Sequence, residues 1–527
     1  MNLAAEIAAL NLDPAQREMF AAALVQLQTE AAEAVAQLQN TTAEAKQLRA
    51  KAKLDDLKIQ TLVLELAHYK RMRFGAKSEA LSPEQRDLFR DSIEEDCAAI
   101  SAEVEQKSPA PRAKRERAGR QSLPEHLPRI EHLHEPESCT CGQCGGALVK
   151  IGEDISEQLD VEPATFFVHR HIRPQYACRP CERIVAAPIA PAVIDGGMAA
   201  VGLIVWILIC KYVDHLPLYR IEQIAARSGV TLSRSTLADW VGRYGFALQV
   251  LVDRLIELLL ERLAMHADET PVQQLDPGRG KTKRAYLWAY RSTDLDEGPR
   301  IAVFDYQTGR SGAHARDFLT GWKGHLVVDD YAGYKALFSQ GVIEVGCMAH
   351  ARRKFFDLHA ANQSPVAAEA LQRIAALYEI EARGRLLNAS ERQTLRDVEA
   401  VPKLQAMHDW LRNTRINVAD GGGLAKAIDY NLKRWPALAR YANSGLLPID
   451  NNPVENLIRP IAIGKKNWLF TGSERAGRRA AAIQSLLATA KLNGLDPAAW
   501  LKDTLEKLPT WPNSRLDELL PLGKIAE

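Results

Sequence analysis

The spacing of small and apolar residues changes character along the chain, and each change predicts a different element. Residues 15–70 contain neither Gly nor Pro, and Leu24, Leu27, Ala31, Ala34, Leu38, Ala45, Leu48 and Ala52 recur at three- and four-residue steps. Ile59, Leu62 and Leu66 continue the series, while Thr41 and Asp55 interrupt it. This seam predicts a long coiled-coil helix whose apolar stripe faces either a second copy or its own protein. Met198–Cys210 is continuously apolar but too short to span a bilayer, so it predicts a buried helix within a helical stretch, 198–262. From 262 to 347 the period shortens, and LAMHAD, AYLWAY, IAVFDY, HLVVDD and VIEVGC predict strands. Helical spacing returns over 349–445 and 473–508 and stops at Asn493-Gly494.

A chain of 527 residues is too long for one core and predicts several domains. Its 46% hydrophobic and 25% charged content is that of an ordinary soluble protein, and the opening residues lack a secretory signal. A cytoplasmic protein without a membrane partner is expected. The net charge of +1 announces no polyanionic partner, but its distribution is uneven: residues 107–120 hold six Lys/Arg against one Glu. Such a run is a solvated linker, a phosphate grip, or both.

Four of the eight cysteines form two Cys-x-x-Cys pairs, Cys141/Cys144 and Cys178/Cys181. Each pair places two thiolates on one side of a tight turn, and together they complete a tetrahedral structural Zn²⁺ site. Cys139 is a spare ligand, and buried or redox thiols are the bland alternative. Residues 216–243 break at Ser228-Gly229, and Ser233 or Ser235 can cap the helix that follows. This is the grammar of a helix-turn-helix, with Arg234, Ser235 and Thr236 as candidate DNA contacts, or of a plain helical hairpin.

Three acids stand out: Asp268 and Asp329, each ending a strand-like run, and Glu455 at the start of a helix. Hard divalent cations take oxygen ligands, and a pair of them can clamp both oxygens of a phosphoryl transfer. The strand order resembles that of RNase H-like nucleotidyl transferases. Strands at 285–290 and 300–306 would pair antiparallel with the one ending at Asp268, and 326–329 would lie beside it. A helical insertion, about 350–445, would then precede the helix carrying the third acid. The bland reading of Glu455 is a capping box, with Asn452 as N-cap and Pro453 as the first helical residue. Asp330 competes with Asp329. Arg459, Lys465 and Lys466, beside Trp468, are either phosphate contacts or a solvated basic turn.

Taken together, HADETPV, DDYAGY, CMAHARRKF, DNNPVENLIRPIAIGKKNWLFTGSERAG, KRMRFGAKSE, CKYVDHLPLYR and TAKLNGLDPAAWL resemble transposases of the insertion sequence 66 family. The resemblance spans about 60–505. It implies a multidomain α+β protein. Its parts would be a leucine-zipper-like helical region (1–99), a basic linker (100–125), a zinc-ribbon-like domain (126–195) and a helix-turn-helix region (196–260). An RNase H-like catalytic core (261–475) and a C-terminal helical region (476–527) would follow. It places the Asp-Asp-Glu triad on Asp268, Asp329 and Glu455, with Asp330 where the family has Gly. Two Mg²⁺ or Mn²⁺ ions, double-stranded DNA (terminal inverted repeats and target), self-association through the N-terminal helix, small accessory proteins and nucleoid association when DNA-bound complete the expectation. The alternatives are a repressor of the element ends and a metal-dependent nuclease.

Overall fold

The computed structural model describes residues 123–523 apart from 126, 136–139, 141–142, 163–164 and 277–280, with Ile100 and scattered positions between 13 and 59. Those scattered positions are helical from Met19 onward and exposed. The rest of the predicted seam, the basic run at 107–120, Cys139 and Cys141 lie outside the described residues. No helix among the described residues is long and apolar enough to cross a membrane.

The protein is a mixed α/β structure with two mixed sheets. The first is an extended ribbon. Two long strands, β2 (Val149–Glu162) and β3 (Thr165–Cys178), pair antiparallel along nearly their whole length. On the other edge of β3 sit β1 (Arg129–Leu133), parallel to it, and β4 (Arg183–Ala186), antiparallel. Helices α1 (Val201–Tyr212), α2 (Leu218–Arg227), α3 (Arg234–Ala247) and α4 (Gln249–Leu260) follow. The apolar run expected to be buried is α1, whose Leu203, Ile204, Ile207 and Leu208 are at most 1% exposed.

The second sheet has five strands in the order β7-β6-β5-β8-β9: β5 (Ala264–Asp276), β6 (Lys281–Ser292), β7 (Ala302–Gln307), β8 (His325–Val328) and β9 (Ile343–Gly346). β5 to β7 form an antiparallel meander, whereas β8 joins β5 in parallel and β9 joins β8 in parallel. The expectation that both early partners pair with β5 is corrected here. β7 pairs with β6, because the other edge of β5 is taken by β8. Helices α5 (Gly312–Phe318) and α6 (Lys335–Phe338) flank β8 in sequence.

Alternation along the strands separates the two faces. Ala285, Leu287 and Ala289 of β6 face α12 (Asn452–Trp468) and α13 (Glu474–Leu492), while Trp288 and Tyr290 face the opposite layer with Leu319 and Leu337. Between β9 and α12 lie α7 (Met348–Asn362), α8 (Pro365–Gly384), α9 (Ala389–Leu395), α10 (Val401–Ile416) and α11 (Gly423–Ala439). α7, α8, α10 and α11 share a core with Ala264, Val327 and Val345 of the sheet. A last helix, α14 (Pro497–Lys507), packs on α1.

The sheet edge at β7 is closed by side chains. Ser485 Oγ of α13 accepts the Phe304 N–H (2.8 Å), and Thr489 Oγ1 accepts the Ala302 N–H and donates to the Ala302 carbonyl (3.0 Å each). An open edge strand invites pairing with another chain, and two hydroxyls on one helix face remove that opening. Gly477 lets α13 approach: a Cβ there would stand 2.4 Å from the Tyr306 ring.

Candidate functional site

Parallel pairing of β5 with β8 sets His266 opposite Val327, so both chains leave the same end of the sheet with their acids side by side. Asp268 lies on β5 just past that pairing and Asp329 follows the last residue of β8. Burial pushes the Asp268 carboxyl up to about 7, with further contributions from the Glu269, Asp329 and Glu455 charges. The charges of Asp329 and Glu455 therefore reach Asp268. The Asp268 carboxylate accepts the Glu269 N–H (2.8 Å), and Asp329 Oδ1 accepts the Tyr331 N–H (2.8 Å). Both side chains are held by their own backbone in one orientation.

Two further acids next to the site are already engaged. Glu269 Oε1 receives the Arg310 guanidinium (2.8 and 2.5 Å) and Oε2 receives the Tyr334 hydroxyl (2.9 Å). Arg310 in turn lies 3.9 Å over the Tyr331 ring. Asp330 Oδ1 receives Arg434 Nη1 of α11 (2.6 Å), and Arg434 also bridges to Glu344 of β9 (2.9 Å) and donates to the Asp329 carbonyl (3.1 Å). Asp330, the competitor in the sequence, is thus turned to the helical insertion. Asp329 is the one whose charge reaches Asp268.

The capping-box reading of Glu455 is corrected. α12 begins at Asn452, its N-cap is Asn451, and no side-chain cap bond is present. The Asn451 side chain is spent elsewhere: its Oδ1 accepts from His266 Nδ1 (2.9 Å) and its Nδ2 donates to the Ala267 carbonyl (2.9 Å). Asn451 N–H donates to Cys347 Sγ (3.2 Å), a thiol that burial pushes up to about 12. Asn451 is 1% exposed and pins the start of α12 onto β5 beside Asp268. Burial lowers His266 to about 4, so it stays neutral with Nδ1–H as donor. Glu455 falls in the first turn, where the helix dipole favours a carboxylate. Sequence reasoning missed Asn451, Arg434 and Arg310. Only the first had a local signal, as one of two adjacent asparagines before a helix.

On α12, Arg459 and Lys466 are exposed, on the face that continues from Glu455 at helical spacing. Lys465 donates to the Pro271 carbonyl of β5 (2.9 Å). In the helical hairpin, Ser233 caps α3 by accepting the Thr236 N–H (3.1 Å), and its hydroxyl meets those of Ser235 and Thr236 (2.8 Å each). Arg234 pairs with Glu222 of α2 (3.0 Å). Of α3, Ser235 alone is exposed, because Leu237, Trp240, Val241 and Tyr244 are in the core and Arg479 of α13 covers Gly245. The first turn of this helix is open to a partner at Ser235.

At the end of the ribbon, the Sγ atoms of Cys144, Cys178 and Cys181 lie within 4.8 Å of one another, with Cys144 and Cys178 at 3.3 Å. Gly145 at φ +69° makes the knuckle turn. Three converging thiols are the donor set of a structural zinc.

Comparison with known proteins identifies related chains. Residues 196–479 match the Transposase IS66 family, 138–182 the zinc-finger binding domain of transposase IS66, and 485–522 the IS66 C-terminal element. Residues 61–131 match a region described as Transposase C of IS166 homeodomain. Uncharacterized protein y4jD of Sinorhizobium fredii is 38% identical over 480 residues, covering 87% of this chain and 93% of its own. Uncharacterized protein y4qI of the same organism is 37% identical over 504 residues, covering 92% and 93%. A family match over more than half the chain, with near-full-length relatives at this identity, establishes that the chain belongs to the IS66 transposase family.

Proposed function

We propose that the protein is a DNA transposase that binds the ends of an insertion sequence and carries out strand cleavage and strand transfer with an Asp-Asp-Glu site. The observation that carries this reading is the convergence of Asp268, Asp329 and Glu455 from three separate elements, β5, the end of β8 and α12. The antiparallel meander followed by two parallel strands supports an RNase H-like core.

The residues fit divalent cations. An Asp268 carboxyl pushed up by burial and by neighbouring like charges, with Glu455 Oε1 buried and lacking a hydrogen bond, suits divalent cations, which relieve both. Asp268, Asp329 and Glu455 would hold two Mg²⁺ or Mn²⁺ ions, which when bound supply Lewis-acid polarisation of the scissile phosphate. The chain's own contribution is orientation. Backbone N–H groups fix the two aspartates, Asn451 fixes the helix carrying the glutamate, and Arg310 and Arg434 keep Glu269 and Asp330 out of the way. Cleavage exchanges a phosphodiester P–O bond for a bond to water oxygen and frees a 3′-hydroxyl. Transfer exchanges a target P–O bond for one to that hydroxyl, so bonds balance without a covalent protein intermediate.

Arg459, Lys465 and Lys466 would lie along the DNA backbone, and Arg234, Ser235 and Thr236 would meet DNA only through the first turn of α3. Cys141 would complete the zinc site with Cys144, Cys178 and Cys181. Partners would be the terminal inverted repeats and target duplex, a second copy through residues 15–70, and small accessory proteins of the element. Its place would be the cytoplasm, at the nucleoid when on DNA.

The test is cleavage and joining of labelled duplex carrying the element's ends, with Mg²⁺. Asp268→Asn, Asp329→Asn and Glu455→Gln should each abolish both steps while retaining end binding, and Asp330→Asn should not abolish them. Full activity of Glu455→Gln would remove the third acid from the site.

A further inference from the structure

One motif quoted from the sequence, CMAHARRKF, has so far entered the site only through its first residue, Cys347. It opens α7, directly after β9, and its His350 comes to the third acid. His350 Nδ1 stands 3.6 Å from Glu455 Oε1. Both atoms are buried and neither has a hydrogen-bond partner. Two side chains on different helices, each with an unmet polar atom facing the other, form a pair one small shift short of a hydrogen bond.

We infer that His350 is a positioning residue for Glu455. In this arrangement, which rests on the transposase reading above, Nδ1–H donates to Oε1 and fixes the plane of the carboxylate. The other oxygen is then the one that binds the cation. Carboxylates that bind metals are commonly held in this way by a neighbouring donor, and loss of such a donor weakens metal binding or activity about 10–100-fold. Cys347 supports the arrangement instead of competing for it. Its sulfur lies within 4.8 Å of the His350 and Glu455 ligand atoms, but it already accepts the Asn451 and His350 backbone N–H groups. The thiol therefore ties the start of α7 to the start of α12, and that joint holds imidazole and carboxylate at their separation.

The identity of the nitrogen gives a specific test. In Asn the amide nitrogen sits where Nδ1 does, whereas in Gln it reaches the place of Nε2. His350→Asn, His350→Gln and His350→Ala would be compared with wild type and Glu455→Gln. Two readouts apply: Mn²⁺ affinity without DNA, by electron paramagnetic resonance, and cleavage of end-bearing duplex. The expected result is Mn²⁺ binding weakened about 10–100-fold by Ala and Gln and largely kept by Asn. kcat should fall in parallel while KM for the duplex stays unchanged. Wild-type Mn²⁺ affinity and kcat in His350→Ala, with Glu455→Gln inactive, would overturn the inference and leave the transposase reading standing. Equal losses in Asn, Gln and Ala would also overturn it, since a merely structural histidine does not care which nitrogen is replaced. Wild-type activity in Glu455→Gln would overturn both.

Discussion

Asp268→Asn should make the metal-free protein more stable at alkaline pH while destroying its activity. The Asp268 carboxyl titrates near 3.8 in an open chain and at about 7 in the fold. Because the folded value is the higher one, ionisation opposes folding. The fold has its full advantage below about pH 3.8, loses it as the pH rises, and carries the whole penalty above about 7. A shift of roughly three units at 1.36 kcal/mol each gives an upper bound of about 4 kcal/mol. Unfolding entropy near 2.1 cal/mol/K per residue over roughly 400 residues converts this to a melting shift of about 5 °C. The assay is thermal unfolding of wild type and Asp268→Asn, at matched scan rates, in divalent-free buffer at pH 5 and pH 8.5. The mutant's advantage should be larger at pH 8.5. Mg²⁺ should then raise the wild type and leave the mutant nearly unchanged, because binding adds stability only where the ligands are intact. A mutant less stable than wild type at pH 8.5 without Mg²⁺, or an advantage that ignores pH, would refute the claim that burial and like charges load this carboxyl.

Asn451→Ala leaves the His266 Nδ1–H and the Ala267 carbonyl buried without partners, at about 1–3 kcal/mol each. Hydrogen exchange in the first turn of α12 should speed up and cleavage should fall sharply. Gly464→Ala drives a Cβ to 2.2 Å from the His215 ring, which sits between α1 and α2, and should destabilise by about 1–3 kcal/mol on thermal unfolding. Cys144→Ser should release zinc, measured by mass spectrometry of the protein's metal content, and raise hydrogen exchange at the β3–β4 end of the ribbon, which retained zinc would contradict.

The parts of this protein that were legible in the sequence are those set by local periodicity. The five strands, the buried α1 and the Ser233 cap follow from residues within a few positions of one another. Asp329 and Glu455 were legible as strand-end and helix-start residues, and Cys144, Cys178 and Cys181 as a thiolate set, whereas Asp268, expected to end its strand, lies inside β5, which its pairing with β6 carries on to Asp276. What escaped depends on partners distant in the chain. Asn452 has the better local claim to cap α12, yet Asn451 takes the position because His266 and Ala267 bind its side chain. Asp330 looked equal to Asp329 until Arg434, 104 positions away, claimed it. Gly245 of α3 is covered by Arg479 of α13, a helix more than two hundred residues later, while the helix start at Ser235 stays exposed. No window on the sequence reports such contacts.

The helical insertion between β9 and α12 also sets a clock on synthesis. Asp329 and Glu455 are 126 positions apart, so the ribosome delivers the third acid well after the second. At typical elongation rates of about 5–20 residues per second, the interval is roughly 6–25 s. During that time the ribbon, the helical hairpin and most of the sheet have been made, but the set of acids is incomplete. On the proposed reading, a nascent chain would meet DNA before it could cut it, and a product terminated inside the insertion would bind without cutting.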